Sequence, residues 1–436
     1  MSAPIPERAD PVGDGRLGGR RLGVFALIGA CLVMDGFDVQ AIGYVAPALI
    51  RDWGIRSADM APVFGAGLLG LFLGSLLLGM AADRLGRRPV LLGATAFFSV
   101  FTLLTGHAGS LAELVALRFL AGLGLGAIMP NATALVGEYS PGRLRVASMM
   151  IVTNGFLVGA MLGGFLAAWL IPARGWRAVF TVGGIVPLAL LVPMFLWLPE
   201  SRQFLALRGR RERIAVPIPR LFRRGRAAGT ALLWVANFTN VLTAYFVASW
   251  LPTVVRDAGH PTRTAVLVGT AVQAGGAIGT LAMGLLMQRT GFVPVLTACF
   301  AGAALNLALV GQPGLPLPLL FAAAFLAGWG IFGGQPGLNA LAATYYPTDL
   351  RSTGIGAALG VGRFGAILGP VVAGALLARQ WTGQELFQAA AGPALVSTAV
   401  VLALRRVLGP RGEAAGTGPD LEGRMQPGER SGPTAG

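Results

Sequence analysis

Apolar residues in this chain come in long, nearly unbroken runs, with polar residues gathered between them. The first run, LGVFALIGACLVMDGFDVQAIGYVAPAL, covers 22–49, and eleven more follow. They lie near 60–82, 89–106, 111–136, 146–171, 176–198, 228–251, 264–287, 293–311, 316–344, 352–378 and 384–407. These lengths are near or above the roughly 20 residues that carry a helix across a bilayer. Lipid offers the backbone no hydrogen bonds, and a helix satisfies its own. The pattern predicts an all-α integral membrane protein with twelve transmembrane helices.

Composition agrees: hydrophobic residues make up 54% of the 436 and charged residues only 12%, which argues against soluble domains. The net charge of +15 could suggest nucleic acid, but the arginines are scattered between apolar helices, unlike the basic patch of a nucleic-acid binder. All 34 basic residues are arginine. With both termini cytoplasmic, 25 fall in tails and cytoplasmic loops, 7 in external loops and 2 inside spans. That bias is the positive-inside rule, so the charge reports orientation and the lipid bilayer is the partner, with no nucleic acid. The first run is too long for a signal peptide and leads straight into further spans. Residues 1–21 read as a cytoplasmic tail, and 408–436, rich in Gly, Pro and charge, as a disordered one. Cys31 and Cys299 lie in spans, and His107 and His260 near external loops, so a His/Cys metal cluster has nothing to build with. No cofactor, metal or enzyme activity is expected.

The longest connection, 199–227, holds nine arginines and divides the chain into six-helix halves over 22–198 and 228–407. The halves repeat. RFLAGLG at 118–124 matches AFLAGWG at 324–330, and PNATAL at 130–135 matches PGLNAL at 336–341. PGRLR at 141–145 matches PTDLR at 347–351, and GAMLGG at 159–164 matches GAILGP at 365–370, every pair at an offset of 206. Parallel six-helix repeats meeting at the membrane midplane suit alternating access, in which one half rocks against the other. The many glycines also suit close helix packing, which rocking helices need as well.

Twelve spans, the duplicated halves and GMAADRLGRR at 79–88 resemble the major facilitator superfamily, whose pattern in that loop is G-x-x-x-D-R-x-G-R-R. The resemblance covers about 22–407, and RFLAGLGLG on span four looks like a second motif of the superfamily. DGFDVQAIGYVAPAL in span one and GGQPGLNALAATYYPTDLRSTGIGAALGVGRFGAILGP in spans ten and eleven are similar to the aromatic acid:proton symporters. The resemblance implies the major facilitator fold, symport of a small aromatic acid with protons, and a transport role for both aspartates of DGFD. It also implies that Gly79, Asp83, Arg84, Gly86, Arg87 and Arg88 form a cytoplasmic latch, its acid capping a neighbouring helix and pairing with arginines. The second-half copy has Gln288 in place of the acid, so the latch is expected to be asymmetric.

Asp35 and Asp38 lie three apart and share one helix face. A carboxylate at mid-span costs about 2.5–3.5 kcal/mol on insertion scales, so two of them need a function or a partner. Carboxyls that bind and release a proton would supply the coupling; a structural pairing with arginine is the alternative. Arg118 lies about 10 Å into span four by helical rise, at a depth comparable with Asp38, so the two can neutralise each other. The repeat puts Ala324 opposite Arg118, confining the arginine to one half. Arg363 is confined to the other half, where the repeat places Leu157, and lies about 16 Å into span eleven. Guanidinium binds a carboxylate through two parallel hydrogen bonds, so Arg363 is the candidate for the substrate anion. A backbone carbonyl or lipid phosphate is its alternative partner. Glu138, ending span four, suits either the proton exit or a salt bridge to Arg143 or Arg145. Gln335 and Asn339 on span ten, Asn237, Asn240 and Tyr245 on span seven, and Asn131 on span four are candidates for the ring, or glue between helices.

A drug:proton antiporter is disfavoured because Ala160 in GFLVGAMLGG replaces the proline of that group's span-five pattern. LPESR at 198–202 suits a sugar porter, although aromatic-acid symporters resemble it too. A receptor would be expected to add a soluble domain. The expectation is a monomeric secondary transporter in a bacterial inner membrane, importing a benzoate- or hydroxybenzoate-type acid with protons.

Overall fold

The computed structural model describes residues 19–141, 144–201, 204–205, 218–223, 225–347 and 350–414. Among them twelve helices are long and apolar enough to cross a membrane: Arg21–Trp53, Ser57–Leu85, Arg87–Thr105, Leu111–Tyr139, Ala147–Arg174, Arg177–Trp197, Ala227–Asp257, Thr262–Thr290, Phe292–Val310, Leu317–Tyr345, Thr353–Ala378 and Gly383–Arg406. They are spans one to twelve. The last helix runs on to Ala414, past the point where the sequence suggested a tail. Residues 1–18 of the expected first tail, 415–436 of the last and about half of the 199–227 connection lie outside the described residues. The first helix already begins at Gly19, and a short 3-10 helix, Ile218–Phe222, falls within that connection.

Two spans are broken. Span four comprises Leu111–Leu125 and Ile128–Tyr139. Pro130 has no N–H to give the carbonyl four residues back, and the helix loosens there, at Gly126. Span five breaks at Asn154, whose side-chain amide leaves its own helix and donates to Ala277 O of span eight at 3.3 Å.

The repeat reappears as packing. Spans one and five touch where a Cβ at Gly159 would collide with the Val33 carbonyl, and their counterparts seven and eleven where one at Gly365 would collide with the Phe238 carbonyl. Small residues at these points let backbones approach where a larger side chain would hold them apart. Across the halves, span one packs on seven, two on eleven and five on eight.

The face carrying the Gly79–Arg88 loop and the start of span one is the tail face here, and the opposite one the far face. Toward the far face a single apolar core joins both halves, from Phe37–Ile50 and Met60–Phe64 to Phe246–Val255 and Val266–Val272. Toward the tail face each half has a separate core, one around Leu32, Phe98 and Leu135 and the other around Leu233, Phe300 and Leu341. Phe64 meets Trp250 across the halves at 5.1 Å between ring centroids, and Phe72 meets Phe364 at 5.2 Å. The halves are closed on the far face and have separate cores toward the tail face.

Candidate functional site

Asp38 and Arg118 are 0% and 4% exposed, and Arg118 Nη1 lies 3.2 Å from Asp38 Oδ2. Span three completes the site, with Thr102 Oγ1 donating to Asp38 Oδ1 at 2.6 Å. Arg118 also donates from Nη2 to Thr102 at 3.2 Å, and to Thr105 from Nη2 at 3.0 Å and from Nε at 3.3 Å. Its guanidinium stands 5.1 Å from the centroid of the Phe180 ring. A buried charge needs both a counter-charge and hydrogen bonds, and here both are supplied. The two threonines, one helical turn apart, were missed in the sequence because hydroxyls in spans commonly bond to their own helix.

Asp35 does not join this pair. It is buried, and its Oδ1 has no hydrogen-bond partner. Its charged neighbours are Arg363 and Asp38, and Arg363 also acts electrostatically on Tyr245. Among the described residues Arg363 forms no ion pair, so the second half presents a half-buried cation toward an acid-bearing first half.

The amides of spans seven and ten form one chain. Asn240 Nδ2 donates to Gln335 Oε1 at 2.8 Å, and Gln335 Nε2 donates to Asn237 Oδ1 at 2.9 Å and to Asn339 Oδ1 at 3.4 Å. Asn131 stays apart and turns back on its own helix, donating to Ala127 O at 2.8 Å. Two further amides, not singled out in the sequence, cross between the halves. Gln40 Nε2 donates to Ala248 O at 2.6 Å, and Gln273 Nε2 donates to Gln40 Oε1 at 3.2 Å. The signal for Gln40 was its position two residues past DGFD inside an apolar run.

A cavity opens beside these groups. It is bounded by Asp38, Gln40 and Arg118 of the first half and by Tyr245, Ala248 and Ser249 of span seven. Arg363 and Gln335 are not part of its wall.

On the tail face, Arg87 Nη1 pairs with Glu138 Oε1 at 2.9 Å, and Ser201 Oγ donates to Glu138 Oε2 at 2.8 Å. Arg143 lies outside the described residues. The acid that caps a helix is Glu200, whose Oε1 accepts from the N–H groups of Arg87 at 2.9 Å and Arg88 at 3.1 Å. Gly86, at φ +103, has room for no Cβ beside that carboxylate. Arg88 donates to the Phe195 carbonyl. Asp83 and Arg84 are exposed and Asp83 forms no ion pair among the described residues, so the expected capping by Asp83 is not present. Gly79 faces open space. Cys31 and Cys299 are buried free thiols.

The Major Facilitator Superfamily profile matches residues 28–310 and 233–427. The chain belongs to that superfamily and is a membrane transporter, not an enzyme. It is 39% identical to a gallate transporter of Pseudomonas putida over 400 residues, covering 85% of this chain and 89% of that one. It is 38% identical to the 4-hydroxybenzoate transporter PcaK of Pseudomonas aeruginosa, over 85% and 89% of the two chains. The solved D-xylose-proton symporter superposes with a TM-score of 0.72 at 16% identity, over 91% of this chain and 99% of that one, a likeness of fold.

Proposed function

We propose that the protein imports a small aromatic carboxylate together with protons by alternating access. The buried Asp38–Arg118 pair in one half, with Arg363 unpaired in the other, carries this reading. Proton uptake at Asp35 and Asp38 accompanies binding of the acid between the halves, with its carboxylate at Arg363. The amides of spans seven and ten line the substrate path, and Glu138 with the Gly79–Arg88 loop works the tail-face gate. The similarity to gallate and 4-hydroxybenzoate transporters supports an aromatic acid as substrate. The arginine bias puts both termini and the tail face in the cytoplasm of a bacterial inner membrane, so the arrangement described above opens inward. The transporter acts as a monomer. One proton with a monoanion moves no net charge, and a second would add about 2.3 kcal/mol per 100 mV of membrane potential.

The test is direction of flux. In right-side-out vesicles, acid outside should drive labelled 4-hydroxybenzoate inward while the medium turns alkaline. Outward movement of a hydrophobic cation, with no response to any aromatic acid, would overturn the reading.

A further inference from the structure

The cavity between spans one, two, four and seven has two kinds of wall. Val63, Phe64 and Leu68 give it a broad apolar side, and Gln40, Tyr245 and Ser249 a side of neutral hydrogen-bonding groups. We propose that this cavity is the ring pocket of the transporter and that it selects aromatic acids bearing a ring hydroxyl. The inference rests on the aromatic-acid reading above and narrows it.

Three observations carry it. Tyr245 and Ser249 line the cavity, and neither has a side-chain hydrogen bond among the described residues. Tyr245 is half-buried and neither hydroxyl is sealed in without a partner, so both are free to bond a ligand that enters the cavity. Next, Gln40 is held rigidly by Ala248 O and Gln273, both in the second half. An amide fixed in this way presents its remaining hydrogen-bonding capacity in one direction. Behind it, outside the cavity wall, Gln273 Oε1 is buried with no donor. Finally, the wall suits a neutral group better than a carboxylate. The cation on it, Arg118, is already bound to Asp38, and the unpaired Arg363 lies within electrostatic reach of Tyr245 but outside the wall. A ring seated here would hold its carboxylate toward Arg363 and its hydroxyl against Gln40 and Ser249. Asp38 shares the wall, so the same ring keeps water from the proton carrier.

A site built to bond a hydroxyl rejects an analogue lacking it strongly, because the site's own groups are left unpaired. Binding to the purified full-length protein would be measured by calorimetry for 4-hydroxybenzoate and for 4-methylbenzoate, a near match in size. The wild type should favour the hydroxylated acid by about tenfold or more, and Ser249→Ala combined with Gln40→Met should bring the ratio close to one. Leu68→Trp, which fills the apolar side, should weaken binding of both acids about tenfold, with folding checked by thermal melting. Equal affinity of the wild type for the two acids, or wild-type binding by Leu68→Trp, would overturn the ring pocket while leaving the importer standing. If neither acid binds the wild type, the ring pocket is overturned, and the flux test over other aromatic acids decides the importer reading.

Discussion

Arg118 makes more hydrogen bonds to two threonines than to its own counter-ion, Asp38. Thr102 and Thr105 receive three donor contacts from the guanidinium at 3.0–3.3 Å, alongside the 3.2 Å contact to Asp38 Oδ2. A buried cation stripped of its only partner is costly, by about 3–5 kcal/mol when one member of a pair is deleted. The threonines supply no counter-charge, but they keep the guanidinium hydrogen-bonded when a proton neutralises Asp38, which lowers the cost of that state.

Asp38→Asn should therefore fold and yet fail to accumulate substrate. The amide keeps an oxygen for Thr102 and Arg118 but has no titratable proton. In proteoliposomes with an imposed pH gradient, concentrative uptake should fall to background, while substrate exchange at equal concentrations persists. Wild-type-like accumulation by this variant would remove Asp38 from the proton path.

Arg363→Ala should lose affinity for the aromatic acid, and wild-type protein should bind the uncharged aromatic amide poorly. Arg363→Lys should recover only part of the loss, because an ammonium lacks the planar fork that grips both carboxylate oxygens. Titration calorimetry on the three proteins would show it. Equal affinity of the wild type for acid and amide would leave the anion-binding role of Arg363 without support.

With Gly159 against the Val33 carbonyl, Gly36 is one of the residues on which the contact of spans one and five depends. A side chain there runs into the Phe156 carbonyl, a backbone atom that can yield only by moving the helix. Gly36→Ala should cost about 1–3 kcal/mol, the usual range for overpacking, and lower the thermal midpoint in detergent. Gly29→Ala, facing open space on the same span, is the control and should melt like the wild type.

What the sequence made legible follows from how each feature is encoded. Spans need contiguous apolar residues, so all twelve are visible in composition alone. The Asp38–Arg118 pair could be matched because depth in a membrane helix is set by residue count. Which way a helix face turns is not encoded in that count. Asn237, Asn240, Gln335 and Asn339 could be ring contacts or glue between helices, and only the docked helices reveal that they bond to one another. The bond from Gln273 to Gln40 crosses 233 residues and depends on how the two halves dock. Glu200 was passed over because its partners are main-chain N–H groups, which no residue type announces.

Glu200 supplies the last prediction. Its carboxylate sits at the start of the span-three helix, where N–H groups lack partners within the helix and the dipole favours negative charge. Its Oε1 takes those of Arg87 and Arg88 and, at 2.7 Å, the N–H of Ser201, tying span three to the end of span six. Ser201 in turn holds Glu138, the ion partner of Arg87, so one carboxylate braces the whole tail-face corner of the first half. Hydrogen bonds to a charged group contribute a net of about 1.5–3 kcal/mol each when buried, and less in a corner only partly buried. Glu200→Ala should lower the thermal midpoint and slow transport several-fold, because the corner must move as a unit when the halves rock. Affinity for the aromatic acid should stay within about twofold, since Glu200 lies on the tail face and outside the cavity wall. Glu200→Gln, which keeps an acceptor oxygen but not the charge, should fall between the two. A melt and a transport rate matching the wild type in Glu200→Ala would show that the corner holds together without it.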